Sequence, residues 1–302
     1  MSECQFVTGS HVEIAYERHG AGGWPVVLLH GFPYDPRCYD GVAELLAGQG
    51  ADVVVPYLRG YGPTRYRDQD VVRSGQQAAL ARDLRDLIEQ LDLFEPIVAG
   101  FDWGGRAACV TSLLWPNLVS GLVSVGGYNV HDIATMASTP DPPEVESRNW
   151  YQWYFHSDRG RAGLDQYRRD LTRQLWQEWS PAWTVPDGAF ERTAGSFDNP
   201  DFVETVVHSY RHRYGLAAGD AFYDADERTI AEQAEIEVPT IVIDASQDPL
   251  DEPLSPEAHA AHFAELLDHR ILATGHDVPQ QDPAGFATAI IDLHAKLARR
   301  AP

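Results

Sequence analysis

The segment Gly100-Phe101-Asp102-Trp103-Gly104-Gly105 constrains this chain more than any other. It follows the apolar run Pro96-Ile97-Val98-Ala99 and precedes the helix-like run Arg106-Ala107-Ala108-Cys109-Val110. A strand, a sharp turn and a helix in immediate succession form the setting in which a G-x-S-x-G segment raises a nucleophile above a parallel sheet. Small residues at both ends permit the strained, close-packed backbone of such a turn. An aspartate stands where that segment carries serine, and this changes the chemistry. A carboxylate with an ordinary pKa of about 4 is ionised at neutral pH and needs no base in order to attack. It is a poor attacker of amides, but it can displace a leaving group from a tetrahedral carbon. The alternative, an aspartate that merely ends a strand and caps the next helix, leaves the glycine frame and the partners described below without a reason.

The rest of the chain supplies a sheet for that turn. Pro25-Val26-Val27-Leu28-Leu29 is a continuous β-branched and leucine run, as expected of a strand buried on both faces. Residues 51–55, 96–99, 122–125, 238–243 and 270–273 read the same way, and residues 9–29 read as a strand pair broken at His19-Gly20-Ala21-Gly22-Gly23. Helical patterns lie between them at 38–46, 75–91, 106–114, 256–267 and 284–297. Strands alternating with helices predict an α/β fold with a mostly parallel sheet covered on both faces.

One stretch breaks the alternation. From 130 to 236 there is no buried-strand run, but a Pro-rich opening (Thr139-Pro140-Asp141-Pro142-Pro143) and a dense set of aromatics. We read 130–236 as a helical cap inserted into a core formed by 1–129 and 237–302. A cap over a sheet edge makes a water-poor cavity, the usual form of a small-molecule site. Most of its aromatics are expected to pack as helical core. Trp176, Trp179 and Trp183 suggest a roomy aromatic pocket.

Charge narrows the partners. The 302 residues carry a formal net charge of −22, which argues against nucleic acid or an anionic membrane as a partner. The three cysteines, Cys4, Cys38 and Cys109, show no disulfide framework and no ligand spacing, so no metal or other cofactor is expected. No run reaches transmembrane length and the first residues lack a basic, apolar leader, so a cytoplasmic location is expected.

Three chemically active residues fall at successive strand ends: Asp102, then Asp248 in Asp244-Ala245-Ser246-Gln247-Asp248-Pro249, then His276 in Thr274-Gly275-His276-Asp277. Open α/β sheets place ligands at strand ends, and nucleophile, acid and histidine in this order form a triad. Asp244 sits within the strand pattern and reads as structural, while Asp277 would point away from a cleft that His276 faces. His30-Gly31-Phe32-Pro33 follows the first buried strand, where an oxyanion-binding loop lies in such a fold. The backbone N–H groups of Phe32 and Trp103 are then the expected donors, since Pro33 has none.

Together with Arg59-Gly60-Tyr61-Gly62, these segments resemble the α/β-hydrolase superfamily, and within it the Asp-nucleophile branch of epoxide hydrolases and haloalkane or haloacid dehalogenases. The resemblance spans essentially the whole chain. Phe101 stands where the family commonly has histidine, and Pro56 where an aspartate often precedes the Arg-Gly-Tyr-Gly turn. The resemblance implies a covalent alkyl-enzyme ester on Asp102, hydrolysed by water that His276 and Asp248 activate. Similar epoxide hydrolases donate a proton from two cap tyrosines, one in a Tyr-Gln-x-Tyr-Phe motif and one in a Tyr-Arg pair. Tyr151-Gln152-Trp153-Tyr154-Phe155 and Ser209-Tyr210-Arg211 match, which makes Tyr151 and Tyr210 the acid pair, with Tyr214 the substitute for Tyr210. Trp103, Trp153, Trp179 and Tyr214 are expected to contact substrate.

A dehalogenase using the same Asp102 is the alternative. Trp153 and Arg106 fall at halide- and carboxylate-binding positions of similar fluoroacetate dehalogenases, but their companions are replaced by Gln152 and Trp103. Arg106 therefore reads as structural and the substrate as a neutral, apolar epoxide. A silent ligand-binding protein of the same fold is the reading from another class, disfavoured because a binder has no use for the base His276. An esterase is disfavoured because a carboxylate nucleophile would form an anhydride. The expected partners are the small substrate and water, and homodimer formation is compatible with the sequence.

Overall fold

The computed structural model describes residues 4–20 and 22–300. The apolar runs become the middle of a nine-stranded sheet: β1 Gln5–Thr8, β2 Val12–His19, β3 Trp24–Leu29, β4 Ala51–Pro56, β5 Arg65–Tyr66, β6 Ile97–Gly100, β7 Gly121–Val125, β8 Thr240–Ala245 and β9 Leu266–Leu272. Every residue of β4, β6, β7 and β8 is buried, which is why these strands lack the alternation of a half-exposed sheet. The order is β1-β2-β4-β3-β6-β7-β8-β9, with β5 against β2. From β4 to β9 the neighbours are parallel, while β1, β2 and β5 pair antiparallel at one edge. Helices flank this sheet: Asp40–Gly48 packs with Pro283–Ala298, and Gln77–Gln90 packs with Asp102–Leu114.

The chain steps from β3 outward to β4, then returns across β3 to β6, so the topology reverses there and opens a crevice at the strand ends. Leu29 pairs with Gly100. The loops that leave β3 and β6, carrying Phe32 and Asp102, therefore emerge side by side.

Three sequence expectations change. The strands at 9–29 both exist but are not partners, because β4 lies between β2 and β3; β1 and β5, whose runs are too short to register, complete that edge. The helix expected over 256–267 covers only Pro256–Ala260, and β9 begins at Leu266 instead of residue 270. β9 is an edge strand of intermediate burial, and its Asp268 and Arg270 hide the strand pattern while Arg270 pairs with Asp292 at 2.6 Å.

Between β7 and β8 the named elements are all helical among the described residues, including Trp150–Phe155, Asp158–Trp179 and Phe202–His212. Their aromatics meet the core around one side chain. The Phe32 ring lies 5.4–6.4 Å from Trp103, Tyr151, Phe155, Trp179, Phe202 and Tyr210, measured between centroids. Arg59 adds a polar tie. It makes two 2.7 Å bonds to Asp83 and donates to the Tyr223 hydroxyl at 3.1 Å, all buried. A buried guanidinium needs such full pairing. No described helix is long and apolar enough to cross a membrane.

The turn after β6 works only because its neighbours lack side chains. A Cβ on Gly104 would stand 1.9 Å from the Leu29 carbonyl oxygen, and that atom is backbone and cannot yield. Gly104→Ala should cost at least about 2 kcal/mol through overpacking, read in urea denaturation. Gly48, in open space, is the control: Gly48→Ala should gain a few tenths to about 1 kcal/mol by lowering unfolded-state entropy. Equal effects at both positions would mean that the helix after β6 does not press on β3.

Candidate active site

Phe101 is extended (φ −134°, ψ 158°) and Asp102 is left-handed at φ +50°, after which the chain turns directly into the helix Asp102–Leu114. Aspartate tolerates that region better than most residues, yet the conformation still costs on the order of 1 kcal/mol or more. The strain is held by contacts on both sides. The Phe32 backbone N–H donates to Asp102 Oδ1 at 2.6 Å, and a Cβ on Gly31 would collide with the Asp102 side chain at 2.5 Å. Trp103 is the next residue of the helix, where a backbone N–H has no intrahelical acceptor.

The loops after β8 and β9 complete the group. His276 Nδ1 lies 2.7 Å from Asp248 Oδ2; a carboxylate only accepts, so Nδ1 carries the proton. Asp248 Oδ1 accepts from the Leu250 N–H at 2.9 Å, which fixes its other oxygen toward the ring. The opposite ring atom, His276 Nε2, stands 3.7 Å from Asp102 Oδ2, an ion-pair distance longer than a hydrogen bond. Burial alone would favour a neutral imidazole, but the flanking charges of Asp248 and Asp102 hold the His276 pKa well above its ordinary value. Burial pushes Asp102 upward too, and His276, Arg106 and the Phe32 N–H outweigh it, leaving the carboxyl below its usual range. Asp102 is therefore ionised and already oriented.

These groups line a cavity of about 290 Å³ together with Tyr151, Arg106 and Arg213. The Tyr210 hydroxyl is buried with no hydrogen-bond partner, and the same holds for the indole N–H groups of Trp103 and Trp179. Tyr151 and Tyr210 meet edge to face at 5.3 Å. The Tyr151 hydroxyl accepts from Gln152 Nε2 at 3.1 Å, leaving its own proton free. Burial first, and then neighbouring groups including Asp102, raise both tyrosines above the ordinary phenol range. Each stays protonated at neutral pH and can donate. Trp179 packs edge-on against His276 at 5.0 Å.

Of the other expected residues, Tyr214 lines this cavity, Tyr210, Trp103 and Trp179 are buried but do not border it, and Trp153 lies apart. Trp153 donates to the Glu146 carbonyl at 3.0 Å and faces an outer groove with His156 and Leu216. Tyr214 stands between groove and cavity, with its hydroxyl on Gln152 Oε1 at 3.1 Å. The roomy aromatic pocket is replaced by a small polar one. Trp176 is tied to the Pro33 carbonyl at 2.9 Å and packs against Trp183, and neither borders the cavity. In their place the sequence reading missed Arg213, and it treated Arg106 as structural. The available signal was Arg213 three residues after Tyr210, close to one face of a helix.

Asp244, His259 and His269 are the one described trio of possible metal ligands, with atoms within 4.8 Å of one another. Asp244 Oδ2 already accepts from His259 and His269, each at 2.9 Å, and from the Leu254 N–H at 3.1 Å. Bonded in this way, the trio serves as a hydrogen-bonded brace for the β8 end.

The sequence pattern of the alpha/beta hydrolase fold matches residues 25–283, and the chain belongs to that family. A solved candidate epoxide hydrolase from Klebsiella pneumoniae subsp. pneumoniae is 40% identical, with 97% of each chain covered and a TM-score of 0.94. Among curated relatives, Epoxide hydrolase B of Mycobacterium tuberculosis is 34% identical over 142 residues, 43% of this chain and 39% of that protein. The AB hydrolase superfamily protein YfhM of Bacillus subtilis is 29% identical over 154 residues, 51% of this chain and 52% of that protein. The chain thus spans about half or less of the length of these curated relatives.

Beside the triad, Asp277 caps the next turn through Oδ1, which accepts from the Gln280 N–H at 3.3 Å, while Oδ2 is buried without a partner. Burial pushes its pKa up to about 8. An unfolded aspartate ionises near 4, so between about pH 4 and 8 the folded chain holds a proton that the unfolded chain lacks. The contribution is fully favourable below the unfolded pKa and is lost as pH rises toward 8. Asp277→Asn keeps a capping oxygen and removes this slope. The variant should gain stability over the parent at about pH 8 and little at about pH 5, measured by denaturant titration. An equal difference at both pH values would mean that Asp277 is ionised in the fold.

Proposed function

We propose that this chain opens an epoxide to a vicinal diol through an alkyl ester on Asp102, with residues 130–236 acting as a cap over the core of 1–129 and 237–302. The observation that carries this reading is the buried, unpartnered Tyr210 hydroxyl beside Tyr151, close to an ionised and oriented carboxylate. An epoxide oxygen leaves as a strongly basic alkoxide, and a positioned acid is worth about 10²–10⁴ in rate. Asp102 attacks a ring carbon, the C–O bond to the ring oxygen breaks, and a tyrosine proton passes to that oxygen. His276, held by Asp248, then takes a proton from water, which attacks the ester's carboxyl carbon. The Phe32 and Trp103 N–H groups face the resulting oxyanion. Free Cys4, Cys38 and Cys109 suit a reducing, cytoplasmic setting.

Halide displacement is the second reading, favoured by the unpartnered indole N–H groups of Trp103 and Trp179, which are suitable donors to a leaving halide. It ranks second because a halide gives the tyrosine pair nothing to protonate.

His276→Gln should let the ester form and persist. Incubated with an epoxide substrate, that variant should gain the mass of the epoxide on a peptide containing Asp102, and Asp102→Asn should gain none. Tyr210→Phe should slow ester formation by about 10² or more while its hydrolysis changes little. Halide release without diol formation would transfer the assignment to the second reading.

A further inference from the structure

We infer that the substrate carries a carboxylate, gripped by Arg106 and Arg213 while Asp102 attacks its epoxide ring. This rests on the epoxide reading and names the substrate class that reading leaves open.

Both arginines border the Asp102 cavity, and both are more than nine-tenths buried, at 6% and 7% exposure. Among the described residues neither has a carboxylate within 4.0 Å, although twenty ion pairs form elsewhere. Arg106 Nη2 lies 2.7 Å from His131 Nε2, a ring that burial and the nearby arginines keep neutral, while Arg106 Nε and Nη1 have no partner. Arg213 Nη2 reaches only the Ser209 hydroxyl at 3.4 Å, its Nε is unpartnered, and its guanidinium lies 4.3 Å from the Tyr210 ring centroid. Contrast Arg59, which is equally buried and fully bonded. A buried guanidinium left unpaired is costly. Burial and the neighbouring Arg213 charge together lower the Arg106 pKa to about 9, a second sign that this pair lacks an anion.

The acids at the cavity do not fill that need. Asp248 holds His276, Asp244 holds His259 and His269, and Asp141 and Asp251 are exposed at the rim. Asp102 lowers the cost of Arg106 by its charge, but that charge disappears when the ester forms. A substrate carboxylate would remain throughout both steps. Guanidinium and carboxylate match as planar, bidentate partners. The cavity of about 290 Å³ lies at the lower bound of ligand pockets, about 300–1,000 Å³, which favours a short epoxy acid.

The test pairs glycidate with glycidamide, the same ring with and without the charge. The parent enzyme should prefer glycidate in kcat/KM by about tenfold or more, and Arg106→Gln or Arg213→Gln should bring that ratio toward one. A ratio near one in the parent, or a ratio unmoved by both variants, overturns the inference. Calorimetry with propionate and propionamide tests the grip without any reaction: propionate alone should bind, and the variants should lose it. Propionate binding that depends on both arginines, with no ester mass from either epoxide in His276→Gln, would sustain the anion site and sink the epoxide reading. Ester formation with no preference for propionate over propionamide would do the reverse.

Discussion

The parallel register that sets Leu29 against Gly100 is the constraint on which the rest of the site depends. It brings two loops out of the sheet at one level, so that a backbone N–H from one meets a carboxylate from the other at 2.6 Å. That contact requires the left-handed turn at Asp102, and the turn requires that Gly31, Gly100 and Gly104 present no side chain where strand and helix press together. A local strain of about 1–3 kcal/mol is held in place by pairing spread across the sheet. The nucleophile is rigid for that reason. Its direction is set by β3 and β6 before any substrate arrives.

The charges around Asp102 are arranged for two different moments. In the resting enzyme His276 lies between Asp102 and Asp248, at 3.7 Å and 2.7 Å, and is held cationic. At about 4 Å, an ion pair is worth on the order of 4 kcal/mol at an effective dielectric of about 20. In the proposed mechanism, ester formation would erase the Asp102 charge and with it that part of the support for the imidazolium. His276 can then pass its Nε2 proton to the phenolate that ring opening leaves on the donor tyrosine, and so becomes the neutral base when water must be deprotonated. Nothing has to move for this switch, because the chemical step itself changes the electrostatics.

How much of this was legible follows from what sequence patterns encode. The grouping of Asp102, Asp248 and His276 was readable because each follows a fully buried strand or a strand end, and buried parallel strands announce themselves as apolar runs. β9 was misread at its start because Asp268, His269 and Arg270 interrupt the apolar run of this half-buried edge strand, leaving Leu266 and Leu267 to read as the end of a helix. Tyr151 and Tyr210 were readable only through resemblance, since nothing in their spacing reveals that Phe32 draws both toward the nucleophile. Trp153 was assigned to substrate contact through resemblance, and Trp176 to the pocket by its chemistry alone. An indole that donates to a backbone carbonyl, as both do, is serving the fold. Arg213 escaped notice, and Arg106 was set aside as structural, for the opposite reason. A sequence displays charge but not whether the charge has a partner.

That last distinction bears on the substrate. The formal charge of −22 argues for a neutral ligand only if the whole surface governs binding. Screening confines such a field to about 8 Å at physiological salt, and most of the acidic residues face water. Inside a cavity of about 290 Å³ the deciding groups are those that water cannot reach. There the carboxylates of Asp248 and Asp244 are engaged by histidine hydrogen bonds, while two guanidinium groups retain donors with nothing to receive them. The local potential and the global charge thus point in opposite directions, and the local one acts at the distance where a small molecule is held. An anionic epoxide would satisfy the arginines, place its ring against Asp102 and leave the tyrosine protons for the opening oxygen. A neutral one would leave two buried cations unpaired through the whole reaction.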